Sequence, residues 1–429
     1  MRRVLLALAL AGTASAEDAA VFLKGGRVVT VSGTVIENGS VLVESGRIVA
    51  VGVDLPAPPG ARVVDATGKW IYPGLIDGLT SLGLTEIPSI AGSMDTTEVG
   101  DVNPNAKSWV ALNPHSAHIA VARAGGITSA LAAPEGGLVS GQSAVIRLAG
   151  STPEAMTVRA GTAIHVAFPS GRPAADATPP TEEPERKGFR ARQKEKTENQ
   201  RKQLERLRNL LEDARAHSAA LSAAQEGRAE RPKPDAVLEA LAPAARGEMP
   251  VILRANSEDE IRAAVAFAEA RGLKLVVAGG LEAWRCAELL KQRDVAVLLN
   301  VLRLPRRRSD PYDAAFANAA LLHRAGVRFA IVTDDESNSR NLPYQAAMAR
   351  AFGLPADVAL RAITLSPAEI LGVAARIGSI EAGKDANLLV ASGDIMDPRT
   401  RVEAVFIDGM EQPLDTRHTR LYEAFRERP

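Results

Sequence analysis

The sequence predicts an α/β protein, a (β/α)8 barrel of the TIM type with a small composite β-sandwich domain built from both chain ends. Three observations carry that expectation. Apolar strand-like runs alternate with amphipathic helical patterns through the middle of the chain, short β-rich runs with Gly-containing turns follow residue 16, and the same β-rich pattern returns after residue 378. Near-continuous apolar strands separated by helices point to a parallel sheet buried on both faces.

The first element is an export signal. Arg2 and Arg3 precede the apolar run from Val4 to Leu10, and Ala14-Ser15-Ala16 supplies small residues of the A-x-A type. Residues 1–16 therefore read as a signal peptide cleaved after Ala16, which makes the mature protein periplasmic or secreted. The apolar run is shorter than the ~20 residues that span a bilayer, and no other stretch of the chain is long and apolar enough to do so.

Residues 17–72 read as the N-terminal part of the β domain, with strands around Phe22, Val29, Leu42 and Val49 set apart by Gly25-Gly26, Asn38-Gly39 and Ser45-Gly46. Residues 73–377 hold the barrel. Its eight candidate strands are 71–77, 127–132, 144–148, 162–167, 250–255, 273–278, 295–299 and 328–333, with helical patterns such as 258–271 and 312–325 between most of them. Residues 378–429 complete the β domain, with strands at 386–390 and 402–407 followed by Asp408-Gly409.

A charged, partly helical insertion at 171–234 interrupts the barrel. Its first part is rich in Pro. In the second part Leu204, Leu207, Leu210, Leu211, Ala214, Ser218 and Leu221 fall on one helical stripe, which predicts a long helix lying against the barrel. Arg306-Arg307-Arg308 reads as a solvated loop.

Composition narrows the function classes. The 429 residues carry 51 Lys+Arg against 51 Asp+Glu, so no net field draws the chain to nucleic acid or to an anionic membrane. A hydrophobic content of 46% suffices for a large core. Cys286 is the only cysteine, so no intrachain disulfide can form and stability must come from packing.

Four passages then bring a family into view: GTVIENGSVLVESGRIVAVG at 33–52, WIYPGLID at 70–77, TLSPAEILG at 364–372 and RIGSIEAGKDANLLV at 376–390. In this order they resemble the amidohydrolase superfamily, close to its imidazolonepropionase-like branch. The resemblance covers nearly the whole mature chain. It implies a metal-dependent barrel, zinc being the family cofactor, that hydrolyses C–N bonds of amides, cyclic amides or peptides.

The metal site implied by the resemblance has to be read residue by residue. The family's His-x-His after Pro-Gly-Leu-Ile-Asp falls on Leu79 and Ser81, its bridging lysine on His165, its strand-five histidine on Arg254, and its strand-six histidine within Ala278-Gly279-Gly280. Leu cannot ligate, a neutral Ser hydroxyl is a poor substitute for imidazole, and Arg stays protonated. Only Asp334, in Val332-Thr333-Asp334, matches the catalytic aspartate of the last strand. A catalytic zinc needs about three protein ligands, and His165 and Asp334 are the donors left, with Glu86 and Asp335 placed there by no spacing.

The expectation is therefore a chain with no bound metal or other cofactor. Asp334 is the candidate general base, His165 a candidate electrostatic stabiliser, and Arg254, Ser81 and Glu86 candidate binding residues at the barrel mouth. Two functions compete: a C–N hydrolase with a dismantled metal site, and a non-catalytic envelope protein that binds a small molecule or serves as a scaffold. Arg254 and Asp334 either pair in the vacated site or point to separate solvent. His115, His118, His217, His323 and His418 read as surface or packing residues, and Cys286 as packed. Oligomeric state is open.

Overall fold

A computed structural model describes residues 20–169, 189–302 and 310–426. The signal peptide, the Pro-rich stretch at 171–188 and Arg306-Arg307-Arg308 lie outside the described residues.

The N-terminal strands are β1 (Val21–Val28), β2 (Ile36–Glu44), β3 (Arg47–Gly52), β4 (Arg62–Asp65) and β5 (Trp70–Pro73). The barrel follows with β6 (Leu75–Thr80), β7 (Ile127–Ala132), β8 (Val139–Arg147), β9 (Thr157–Ala167), β10 (Val251–Ala255), β11 (Leu275–Gly279), β12 (Ala296–Leu299) and β13 (Phe329–Ile331). The chain then returns with β14 (Leu388–Ala391), β15 (Val402–Ile407) and β16 (Met410–Gln412).

Both ends of the chain build one mixed sheet, β16-β15-β14-β5-β1-β2-β3, with β4 branching from β1. The sandwich expected there is thus made from a single continuous sheet. Its core draws on both ends, with Leu23, Val41, Val43 and Ile71 packed with Leu388, Val390 and Phe406. Ser45-Gly46 and Asp408-Gly409 turn the β2–β3 and β15–β16 hairpins with positive φ at both central residues, the conformation that matches strand twist.

Asn38-Gly39 is a correction. It lies inside β2, where Gly39 faces Gly26 at an irregularity in the β1–β2 register. A Cβ at Gly39 would press on Val28 and Ile36, so the glycine serves close strand approach rather than a turn. The strand expected at 71–77 is also divided. Pro73 ends β5 in the composite sheet, and Gly74, whose Cβ would overlap the Thr128 side chain, starts the chain into the barrel.

The second sheet runs β13-β12-β11-β10-β9-β8-β7-β6. Neighbours from β9 to β13 are parallel, as are β6 and β7, but β8 is antiparallel to both β7 and β9. The fully parallel expectation fails at this strand. The link from Ala132 to Val139 is far shorter than the dozen or more residues that a parallel crossover needs, and Pro134 with Gly136-Gly137 folds it into a tight reversal.

Helices pack outside: α1 (Ala117–Ala124), α2 (Pro153–Met156), α3 (Phe189–Gln225), α4 (Ala236–Ala245), α5 (Glu258–Glu269), α6 (Ala287–Gln292), α7 (Ala314–Ala325), α8 (Leu342–Ala351), α9 (Ala356–Arg361), α10 (Leu365–Ile370) and the C-terminal α11 (Arg417–Phe425). In α3 the residues Leu207, Leu211 and Ala214 of the expected stripe are buried, and Arg215 Nε donates to the Ala245 carbonyl at the end of α4 (2.6 Å). Among the described residues, no helix is long and apolar enough to cross a membrane.

The barrel axis is filled, not open. Ile76, Leu79, Leu131, Val145, Ala163, Ile252, Val276, Leu298, Ala330 and Val332 point inward and meet Leu371, Val373 and Ile377 beneath them. Arg159, near the start of β9, clamps this floor by donating to the carbonyls of Leu371 (3.0 Å) and Gly372 (2.8 Å).

Candidate functional site

Side chains two residues apart on a strand share a face. Inward-facing Ala163 and Ile252 therefore place His165 and Arg254 above the apolar layer at the C-terminal mouth of the barrel, and Ser81, Asn300 and Asp334 follow the ends of β6, β12 and β13 there. This is the face where barrels of this kind carry their function.

Arg254 and Asp334 meet there. Nη1 of Arg254 donates to Oδ2 of Asp334 at 2.6 Å and Nη2 to Oδ1 at 2.8 Å, a fork on both carboxylate oxygens and the strongest geometry available to such a pair. The Asp334 side chain is 10% exposed and that of Arg254 40%. A second carboxylate, Glu135, lies 4.0 Å from Arg254.

Asp334 is held in an unusual backbone state. Its φ is +55°, a left-handed conformation that non-glycine residues adopt only when their surroundings impose it. Three hydrogen bonds impose it. Its own N–H donates to the Leu79 carbonyl at 2.9 Å, the preceding Thr333 N–H donates to Oδ1 of Asp77 at 3.0 Å, and Asn300 Nδ2 donates to the Thr333 carbonyl at 2.5 Å. Asp77 is fully buried, and that burial pushes its carboxyl up to about 7 in spite of hydrogen bonds from Thr333, Ser339 and Leu79 that favour the ionised form.

His165 is also buried, and its Nε2 has no hydrogen-bond partner among the described residues. Burial, and then the charge of Arg254, pull the ring down to about 3. The imidazole is therefore held in its neutral form. It offers a hydrogen-bonding ring nitrogen rather than a charge.

The remaining sequence-derived residues divide. Ser81 reaches the mouth and donates to Glu336 Oε2 at 2.8 Å. Glu86 does not join it, because its Oε1 accepts from the Ala117 N–H at the start of α1 (3.1 Å). Asp335 is spent on a turn, accepting from the N–H (2.8 Å) and side-chain amide (3.0 Å) of Asn338. At Gly279, with φ +93°, a Cβ would overlap the Asn256 side chain, so neighbouring atoms already fill the room a larger residue would need.

His118 Nε2 contacts the Glu86 carbonyl (2.9 Å) outside the barrel, and His217 lies on α3 facing Glu239. Cys286 is buried, with its thiol pushed up to about 11 mainly by desolvation; a thiol of that kind is inert. Among the described residues, no three or more His, Cys, Asp or Glu are grouped so as to hold a metal. Sequence reasoning missed Asp77, Asn300, Glu135, Thr333, Ser339 and Glu336. Asp77 did carry a signal, an acidic residue inside the apolar run LID at 75–77.

With this geometry in place, the likeness to known proteins is clear. The model of the Amidohydrolase family matches residues 122–411. The chain belongs to the amidohydrolase family. The amidohydrolase tasK of Hapsidospora irregularis is 26% identical over 420 residues, which take in 87% of this chain and 40% of that protein, so the chain spans well under half of its relative's length. An amidohydrolase from Thermotoga maritima superposes with a TM-score of 0.79 at 28% identity, covering 91% of this chain and 99% of its own. An adenosine deaminase from Xanthomonas campestris with bound zinc shares the fold more distantly, with a TM-score of 0.50 and 20% identity over 95% of this chain and 97% of its own.

Proposed function

We propose that this amidohydrolase-family protein is exported and uses its barrel mouth to bind a small polar molecule without a metal, rather than to carry out the metal-dependent C–N hydrolysis expected of the family. One observation carries the reading: the two-point ion pair between Arg254 and Asp334. A divalent cation at the mouth would need oxygen or nitrogen donors with free lone pairs. The aspartate is bridged by a guanidinium, a fixed positive charge that repels a cation and stands where the resemblance places a histidine ligand. Leu79 is packed inside the barrel, and Gly279 can present no donor. The residues present do not fit the family metal.

What the mouth does offer suits a neutral or zwitterionic ligand. Arg254, still 40% exposed, with Glu135 4.0 Å away, and the Ser81–Glu336 pair give the mouth charge and hydroxyl, with His165 buried beside Arg254.

Metal analysis of the purified exported protein, followed by zinc titration in a thermal-shift assay and a screen of amide, cyclic-amide and dipeptide substrates, tests this. Zinc well below one equivalent, no zinc-dependent rise in Tm and no turnover are expected. Stoichiometric zinc, or turnover that zinc restores, would return the protein to the metal hydrolases. Intact mass of the exported protein should place its first residue at Glu17.

A second reading, hydrolysis with Asp334 as base and no metal, is favoured by its position at the end of the last strand. It requires the pair to open, and turnover abolished in Asp334→Asn would support it.

A further inference from the structure

The barrel sheet is a path whose ends are β13 and β6, so its last gap is bridged by something other than a strand ladder. Below the mouth that bridge centres on the Asp77 carboxylate. Its Oδ1 accepts from the Thr333 N–H (3.0 Å), and its Oδ2 from the hydroxyls of Thr333 and of Ser339, the latter at 3.1 Å. The Asp335 carbonyl also lies 3.0 Å from the same two hydroxyls, each of which shares its one proton between it and Asp77, and from that of Thr80.

Asp334 therefore sits between two residues whose backbones are both tied to this web, and its own backbone is left-handed. Such a conformation persists only where neighbours over-determine it. It also decides where the carboxylate points. In the broad extended region that a strand end would otherwise adopt, the side chain would leave the mouth at a different angle and the two-point contact would be lost.

We infer that Asp77 is a positioning residue for the barrel mouth: acting through Thr333 and Ser339, it fixes the backbone of Asp334 so that the carboxylate meets the fork of Arg254. The inference rests on the reading of that pair as the centre of the mouth. A weld that only closes the barrel would affect stability. A positioning device must also affect the energetic coupling between Arg254 and Asp334, two residues that Asp77 itself does not bond.

The test is a double-mutant cycle of Arg254→Ala and Asp334→Ala, measured by chemical denaturation of the full chain in the parent and in an Asp77→Asn background. In the parent, coupling of about tenfold in the folding equilibrium constant is expected, within the range for residues in direct contact. The cycle is read above about pH 7, where the Asp77 carboxyl is ionised and both its oxygens accept. Asn cannot accept on both side-chain atoms, so the web must rearrange and the coupling should fall to about one. If Asp77→Asn lowers stability and leaves the coupling at its parent value, Asp77 is a weld and the inference fails while the pair stands. If coupling is already absent in the parent, the reading of the pair fails, and Asp77 has nothing to position. Should Asp77→Asn not fold, Thr333→Val and Thr333→Ser carry the same test. Only the serine, which keeps the hydroxyl, should retain the coupling, and equal coupling in both would overturn the inference.

Discussion

At the lower end of the barrel, Arg159 and Arg376 donate to the backbone carbonyls of Leu371, Gly372 and Val158, and Arg376 and Arg47 converge on the buried Asp385 at 2.7 and 3.5 Å. There the cations lock the composite sheet onto an apolar floor. At the upper end, Arg254 meets one carboxylate in full and another at 4.0 Å, beside an imidazole nitrogen with no partner among the described residues. At the lower end most of the arginine contacts go to backbone carbonyls and to Asp385, although Arg147 Nε is left without a hydrogen bond among the described residues. At the upper end the contacts run between side chains, Arg254 with Asp334 and Ser81 with Glu336. The architecture is that of the family, and under the reading proposed above the mouth departs from it.

The most severe way to break this comparison is to remove the lower lock altogether. Deleting residues 378–429 takes away β14, the antiparallel partner of β5, and exposes apolar edges that aggregate. Loss of cooperative unfolding and of solubility is expected. A truncated chain as soluble and cooperative as the full one would show that the composite sheet is dispensable.

A milder break at the same end is Asp385→Ala. It strands Arg376 and Arg47, both partly exposed, so a loss of about 2–3 kcal/mol is expected, below the 3–5 for a fully buried pair. At the mouth, Arg254→Ala should cost about 1–3 kcal/mol, because the carboxylate it abandons is nearly buried whereas the guanidinium keeps access to water. Urea denaturation measures both. The comparison is sharpened if the mouth variant costs less than the floor variant, and it weakens if the order is reversed.

The smallest effects are in pH. Asp77 has its carboxyl raised from 3.8 to about 7, so between those values the native state holds a proton that the unfolded chain has lost. Its contribution is greatest below about pH 4 and is lost as pH rises through about 7. His165 is lowered from 6.5 to about 3 and acts in the opposite sense. Its contribution is intact above pH 6.5 and is lost as pH falls toward about 3, because the unfolded chain takes up a proton that the native ring refuses. Midpoints of urea unfolding across this range should therefore lose their neutral-side decline in Asp77→Asn and their acid-side decline in His165→Gln. Identical profiles for the parent and both variants would mean that neither group is as buried as described.

Much of this was legible in the sequence. Asp334 and Arg254 could be placed at the mouth because they stand where the resemblance puts the family's last-strand aspartate and strand-five histidine. Other features left only a faint trace. The reversal of β8 was signalled by nothing but a link too short for a crossover. Asn38-Gly39 has the composition of a turn and serves as a bulge, because the glycine is required by the approach of β1, not by the local chain. The web around Asp77 joins residues 256 and 262 positions apart, and no local pattern couples them.

By itself, then, the sequence determined the alternation of strands and helices, the joining of the chain ends into one domain, and the residue types at each strand terminus, since these follow from periodicities of two and 3.6 residues and from Gly and Pro at the breaks. Only the tertiary structure decided which of those residues touch. The fork of Arg254 on Asp334, the left-handed turn of Asp334 over Asp77, the crowding of Gly279 by Asn256 and the diversion of Glu86 to α1 all depend on how a curved sheet returns on itself. Closure brings residues far apart in sequence within 3 Å of one another, and neither their spacing nor their hydropathy carries a record of that distance.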